Sequence, residues 1–242
     1  MKVLLLNGSP KKQKSCTFLI AESFLCGIKK AFPNARTEVV HISDLNVKPC
    51  LGCLSCWGRT EGECVIKNDD IPLIKQKILD SDIVVEAFPL YFFGMPGSVK
   101  VFTDRMLSMM KTYEGQRPPE NGVSYHGIRD KGNVKKFAVL SSCAYTDGDT
   151  IFEPLKKQFD YICGEKGYTF LYAPQLKTLV ELGASARLTR YLQKFESAGE
   201  KFALGTLTEE NVLKTVKPPF SDAVYAQLLS NFWTEERSHN KK

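Results

Sequence analysis

Short runs of consecutive apolar residues alternate along this chain with stretches whose apolar positions recur every three or four residues. The runs at Val3 to Leu6, Glu38 to Ile42, Ile83 to Ala87, Lys136 to Ser141 and Tyr168 to Tyr172 predict five strands. Helical spacing fills the gaps between them. Phe18, Leu25, Ile28 and Phe32 share a face near 15–32, and Leu73, Ile74 and Ile78 mark a helix near 70–80. Val99, Phe102, Met106 and Met109 mark one near 96–110, and Phe152, Leu155, Phe159 and Ile162 one near 148–164. Leu188, Leu192, Phe195 and Phe202 continue the pattern over 184–204. Strands that alternate with helices are joined by right-handed crossovers into a parallel sheet covered on both faces, so the pattern predicts an α/β doubly wound domain.

Two interruptions exceed ordinary loop lengths, 43–69 and 111–133, and loops this long inside a domain usually carry function. The strand–helix rhythm stops near 205. Beyond it lie a helical pattern near 208–216, Pro218-Pro219, and a last helix opened by Ser221 and Asp222 and running to about 236. The expected division is a domain over 1–205 and a helical extension over 206–242, ending in a frayed tail.

Composition narrows the classes. Hydrophobic residues make up 43% and charged residues 25% of the 242, as in an ordinary globular protein. No apolar run approaches the ~20 residues needed to cross a bilayer, and the opening MKVLLLNGSP is too short in apolar residues for a secretory signal, so a cytoplasmic protein without membrane contact is expected. The net charge of +6 is spread along the chain and lacks the concentrated basic face that nucleic acid requires; it suits small anionic ligands. Eight cysteines, four of them within 50–64, indicate metal or redox chemistry in a reducing compartment rather than crosslinks.

The first strand runs directly into Asn7-Gly8-Ser9-Pro10-Lys11-Lys12-Gln13-Lys14-Ser15-Cys16-Thr17 and then a helix. Backbone amides and the helix dipole converge on such a turn and bind phosphate. Gly8 is its only glycine, which excludes a G-x-G-x-x-G dinucleotide fingerprint, and Gln13 stands where a nucleoside-triphosphate loop needs its second glycine. What remains is a hydroxyl-rich loop suited to one terminal phosphate ester, as on FMN, or a capped helix start without a ligand. The third strand ends in Pro89-Leu90-Tyr91-Phe92-Phe93-Gly94-Met95-Pro96-Gly97. Three consecutive aromatic residues in a loop are expected to cover something planar, with Gly94 and Gly97 admitting it closely; a core-packing loop or subunit surface is the alternative. The fourth strand ends in Ser141-Ser142-Cys143-Ala144-Tyr145 at the same edge.

These two motifs together resemble the flavodoxin-like NAD(P)H-dependent FMN reductases. N-G-S-P-K-K-x-x-S-x-T matches that family's phosphate loop. Pro89, Tyr91 and Gly94-Met95-Pro96, followed by Lys100, Phe102 and Asp104-Arg105, match its P-x-Y-x-x-G-M-P and K-x-F-x-D-R signature. The resemblance implies a five-stranded parallel sheet of order 2-1-3-4-5. It implies that Ser9, Pro10, Lys11, Ser15, Cys16 and Thr17 hold the FMN phosphate. Pro89, Leu90, Tyr91, Phe92, Phe93 and Gly94 would hold the isoalloxazine ring, with Ser142 and Cys143 near its pyrimidine side. It further implies NAD(P)H as electron donor, a small-molecule electron acceptor such as a quinone, nitro compound or free flavin, and a homodimer or tetramer. No side chain is assigned as acid, base or nucleophile, since the flavin carries the chemistry. A lid or subunit contact is expected of the basic loop 111–136, with Arg117, Arg129 and Lys131.

Cys50, Cys53, Cys56 and Cys64 have a spacing that suits a [4Fe–4S] cubane better than two separated zinc-type pairs. It resembles the iron–sulfur flavoproteins of the same family, as does Cys64-Val65-Ile66-Lys67-Asn68-Asp69-Asp70. Trp57 and the long final spacing depart from that pattern, and free thiols are the preferred reading. Cys53 to Thr60 also satisfies C-x5-R-[ST], the loop of cysteine phosphatases, although Glu61 and Glu63 would repel a phosphate there. Cys26 and Cys163 read as buried thiols; His41, His126 and His239 form no recognisable constellation. An electron carrier serving partner proteins is the alternative to an enzyme.

Overall fold

Val3 through Leu6 are at most 2% exposed, so the first strand is covered on both faces, as an unbroken apolar run requires. The computed structural model describes residues 1–112, 126–183 and 185–239. Five strands, β1 (Lys2–Asn7), β2 (Arg36–His41), β3 (Ile83–Pro89), β4 (Lys136–Ser142) and β5 (Thr169–Ala173), form one parallel sheet in the order β2-β1-β3-β4-β5. This is the flavodoxin-like order.

Helices cover both faces. On one side α1 (Cys16–Ala31), α5 (Leu176–Glu181) and α6 (Ser185–Leu204) share a core with Val3, Leu5, Val85 and Leu140. On the other, α2 (Ile71–Leu79), α3 (Gly97–Arg105) and α4 (Gly148–Cys163) pack on Leu4, Leu6, Val84 and Val139. Alternate residues of β1 therefore feed opposite cores, the period-2 rule of a strand. Side chains cap the helices where polar residues precede them: Ser15 Oγ accepts from Phe18 N at 3.0 Å, and Asp147 Oδ1 from Thr150 N at 3.2 Å.

Several local expectations change. The helix expected over 96–110 ends at Arg105 and tightens into a 3-10 turn over Met106–Met109. Ile42 leaves the second strand to begin a 3-10 turn. Cys26 is exposed rather than buried, because it lies on the solvent side of α1, and Cys163 is half-buried. Phe32 and Leu73 match the helical period yet are 38% and 59% exposed, at the rim of their helices. The six-residue α5 was not expected at all.

Beyond residue 205 come α7 (Glu209–Val216), opened by a Thr208–Asn211 capping box, and α8 (Asp222–His239). Val216, Phe220 and Tyr225 are buried in the same core as α1 and α6. Arg117 lies outside the described residues, as does most of the loop that carries it.

Candidate functional site

The turns after β1, β3 and β4 meet at the carboxyl edge of three adjacent strands, where ligands of open α/β sheets bind. The first is drawn tight by packing. Gly8 N donates to Ala87 O at 2.8 Å, and a Cβ on Gly8 would lie 2.2 Å from Val99 Cγ2, so only glycine fits between β3 and α3. A short 3-10 turn (Lys12–Lys14) then delivers Ser15 to the N-cap of α1. Ser9 and Ser15 are buried, 2% and 5% exposed. Ser15 Oγ only accepts in its cap, so its hydroxyl hydrogen stays available to an anion, and the first amides of α1, those of Cys16 and Thr17, have no acceptor within the helix. Thr17 Oγ1 is already paired with Ser142 Oγ at 2.6 Å, which ties the first turn to the third. Lys12 is drawn to Asp44 at 2.5 Å. Lys11 and Lys14 are the exposed cations at this loop. Burial raises the Cys16 thiol, and the Glu181 carboxylate adds to that, while Lys11 acts in the opposite direction.

The second turn is strained. Tyr91 and Gly94 exchange backbone hydrogen bonds at 3.0 Å in both directions, closing a two-residue hairpin with Phe92 at φ 48° and Phe93 at φ 66°. Glycine or asparagine normally occupies such positions, and a bulky residue there costs about 1–3 kcal/mol. The strain orients aromatic rings outwards: Phe92 is 98% exposed, with Tyr91 and Phe93 about half as much. Leu90, by contrast, is buried and anchored by its amide to Ser142 O at 2.8 Å. Phe93 stacks on Tyr145 of the third turn, centroids 5.6 Å apart. A Cβ on Gly94 or Gly97 would meet nothing within 4 Å, so the protein's own packing does not require glycine at either place. Open space beside exposed aromatic faces, next to amides and hydroxyls at a helix start, is a fit for a planar ring that carries a phosphate.

The third turn is braced from a distance. Cys143 N donates to Ala173 O at 3.1 Å, and burial lifts the Cys143 thiol to about 11. Gln175, fully buried, donates its backbone N–H to Tyr145 O at 3.2 Å and its Nε2 to Thr146 Oγ1 at 2.9 Å, and its Oε1 accepts from Phe220 N at 3.0 Å. Thr146 Oγ1 donates to Asp222 at 2.7 Å, and the Tyr225 hydroxyl donates to Ala144 O. Gln175, Asp222 and Tyr225 therefore position this turn. Sequence reasoning missed them, since their partners lie 29 to 81 residues away and no local pattern marks them.

The cysteine loop is held by one side chain. Arg105, the last residue of α3, has no exposed side-chain surface; it donates to Lys48 O at 2.7 Å, Ile66 O at 3.0 Å and Asp69 Oδ2 at 2.5 Å. Burial works against the Asp69 carboxylate, but Arg105 and the amides of Lys48 and Ile71 outweigh it and hold the group below the usual carboxylate range. Lys75 Nζ donates to Gly62 O at 2.9 Å, and Trp57 Nε1 to Leu107 O at 3.3 Å. The four cysteines are close enough to act on one another: the Cys56 thiol is raised first by burial, then by Cys64, Cys50 and Cys53. Among the described residues, however, no three His, Cys, Asp or Glu side chains are assembled at metal-ligand geometry. A cluster would require the four thiols to be brought together. As for phosphatase chemistry, Cys53 is followed by a three-residue 3-10 turn (Ser55–Trp57) rather than by an α-helix, so no helix dipole activates it.

Residues 1–130 match the family described as NADPH-dependent FMN reductase. Over 154 residues the chain is 30% identical to an iron–sulfur flavoprotein of Clostridioides difficile, an alignment covering 61% of this chain and 65% of that one. A second iron–sulfur flavoprotein, from Archaeoglobus fulgidus, is 32% identical over 152 residues, covering 62% of this chain and 71% of its own. The fold resembles that of an NAD(P)H:quinone oxidoreductase from Methanothermobacter marburgensis, with a TM-score of 0.60 at 19% identity over 83% of this chain and 96% of that one. The sheet order and the three turns that converge at its carboxyl edge define a flavodoxin-like α/β protein. The chain belongs to the NADPH-dependent FMN reductase family.

Proposed function

We infer that this protein is an FMN-dependent oxidoreductase that takes electrons from NAD(P)H and passes them to a small organic acceptor, a quinone or nitro compound being the expected type. The observation that carries the reading is the convergence of the Ser9–Thr17 loop, the strained Tyr91–Gly94 hairpin and the Ser142–Thr146 turn at one edge, with space beside Gly94 that the protein does not fill. FMN bound there supplies the hydride chemistry. The chain's own residues bind and orient. Ser9, Ser15 and the α1 amides serve the phosphate, Lys11 adds charge, and Tyr91 to Gly94 flank the ring. Ser142 and the braced turn after it limit how the ring sits. The eight cysteines are free thiols, which suits a reducing cytoplasm, and the family resemblance supports a homo-oligomer. Anaerobically purified protein, loaded with FMN, is expected to show two flavin bands and to oxidise NAD(P)H when a quinone is supplied. Protein that is colourless and does not take up FMN would overturn the assignment.

The cysteine loop favours a second reading, in which the protein also carries a [4Fe–4S] cluster on Cys50, Cys53, Cys56 and Cys64. Its support is the mutual influence of the four thiols within a loop pinned by Arg105, with the cationic Arg59 and Lys75 nearby. Iron and acid-labile sulfide near four per chain, lost with FMN retained in Cys56→Ser, would establish it. Flavin without iron leaves the simple reductase.

A further inference from the structure

A carboxyl group stands in the middle of the sheet with an oxygen that no described residue bonds. Glu86 lies in β3, in register with Leu6 on one side and Val139 on the other, and is 5% exposed. Its Oε1 has no hydrogen-bond partner among the described residues. Burial raises the carboxyl to about 8, so at neutral pH it is protonated and has a hydrogen to donate. The side chain lines a cavity of about 230 Å³ walled by Leu6, Phe102, Met106, Phe137 and Phe159. Exposed Ile128, Asp130, Lys131 and Lys135 mark its mouth. That mouth is at the amino-terminal end of the sheet, since Lys136, the first residue of β4, also lines the cavity. The candidate flavin site is at the opposite end. Phe88, two residues nearer that end on the same strand face, stacks on Phe159 with centroids 6.2 Å apart.

Each feature restricts what would enter. Apolar cavities of about 150 Å³ stay dry and take up benzene, so this one has room for one or two rings. An unmet donor in apolar surroundings is costly and is relieved by a single acceptor. Lys131, Lys135 and Lys136 against one aspartate at this end give no advantage to a cation. We propose that the cavity is a second binding site, for an uncharged, mainly apolar molecule of one or two rings whose carbonyl oxygen accepts a hydrogen bond from Glu86. The site is independent of the flavin reading, for it shares no residue with that edge.

Benzophenone is a suitable probe, being a two-ring ketone that on irradiation attaches to nearby C–H groups. With FMN-loaded protein, saturable adducts are expected on the peptide containing Met106, Met109 and Met110. Glu86→Leu removes the donor at similar volume and should weaken binding about tenfold, whereas Glu86→Gln still presents an N–H and should stay within about threefold of the parent. Binding to the unmodified protein should also fall as pH rises past 8, because the ionised carboxylate no longer donates. Cys163 of α4, raised by burial to about 12, remains a thiol over that range. The other charged groups facing the cavity are Asp130, Lys131, Lys135 and Lys136. This pH test keeps the proposal open to refutation if Glu86→Leu does not fold. Adducts confined to residues 91–93, labelling that does not saturate, or equal affinity in Glu86→Leu would each overturn it.

Discussion

Ser9, Ser15 and Thr17 look interchangeable as phosphate donors in the sequence, but their hydrogen bonds separate them. Ser15 caps α1 and Thr17 is paired with Ser142, so replacing either disturbs the fold as well as any ligand. Ser9 is the cleaner probe, since its Oγ accepts only a long bond of 3.4 Å from Lys11 N. Ser9→Ala is expected to weaken FMN binding roughly 10- to 100-fold, the worth of one hydrogen bond to a charged group, with little change in thermal midpoint. Gly94→Val tests the ring side: the fold has room for the side chain, so the apoprotein should keep its midpoint while FMN affinity drops at least about tenfold. Titration of apoprotein by flavin fluorescence quenching reads both, and unchanged affinity would move the ligand elsewhere. Glu86 makes a different prediction, about stability. Its carboxyl is raised from 4.5 to about 8, so between those values the folded chain keeps a proton that the unfolded chain has lost. Stability attributable to this group is full at low pH and declines at roughly 1.4 kcal/mol per pH unit across that window, levelling off above about 8. The groups facing it are Cys163 of α4, Asp130, Lys131, Lys135 and Lys136. Glu86→Gln, which does not titrate, should remove this slope and be the more stable protein at pH 8; if urea titrations show the same change in stability between pH 5 and pH 8 in both proteins, the buried neutral acid is refuted.

At the scale of elements, α3 matters to the cysteine loop because its last residue, Arg105, reaches Lys48, Ile66 and Asp69 together. Arg105→Met leaves the Asp69 carboxylate buried without its counter-charge and frees two carbonyls, and a loss of about 3–5 kcal/mol is expected. Adding Asp69→Asn should recover part of it, and the difference between the two variants in chemical denaturation measures the uncompensated charge. Arg105 was legible as part of the K-x-F-x-D-R motif, but its structural role was not, because its partners lie 36 to 57 residues away. The strands and long helices were legible because an apolar run or a three-to-four repeat is local information, and all five strands lie within two residues of where the pattern sets them. The short α5 escaped because six residues hold barely one helical repeat and it starts after Gln175 at φ 58°, a conformation no composition signals. The Tyr91–Gly94 hairpin escaped for a related reason: Phe-Phe is a poor sequence for two left-handed residues, so turn chemistry argues against the very conformation that exposes the rings. Cys26 shows the limit in reverse, since a residue type that is usually buried takes the face its helix gives it.

The whole molecule ties its last 37 residues to the candidate site by two routes. The first is packing, with Val216, Phe220 and Tyr225 buried in the core that contains α1, α6 and the strands. The second is polar: Phe220 and Asp222 bond to Gln175 and Thr146, and the Tyr225 hydroxyl reaches Ala144, so the turn after β4 depends on chain that follows β5 by some 50 residues. A separately folding appendage would leave that turn without its brace whenever it opened. Shared apolar side chains argue instead that the segment melts with the sheet, since exposing Phe220 and Tyr225 also uncovers α6 and α1. We therefore expect apoprotein to unfold in one calorimetric transition whose van't Hoff and calorimetric enthalpies agree. Deleting 206–242 should lower the midpoint by several degrees and weaken FMN binding in the same protein, because core and third turn are lost together. A separate early transition in the full chain, absent from the truncated one, would show that the extension is an independent unit and that the third turn keeps its shape without it.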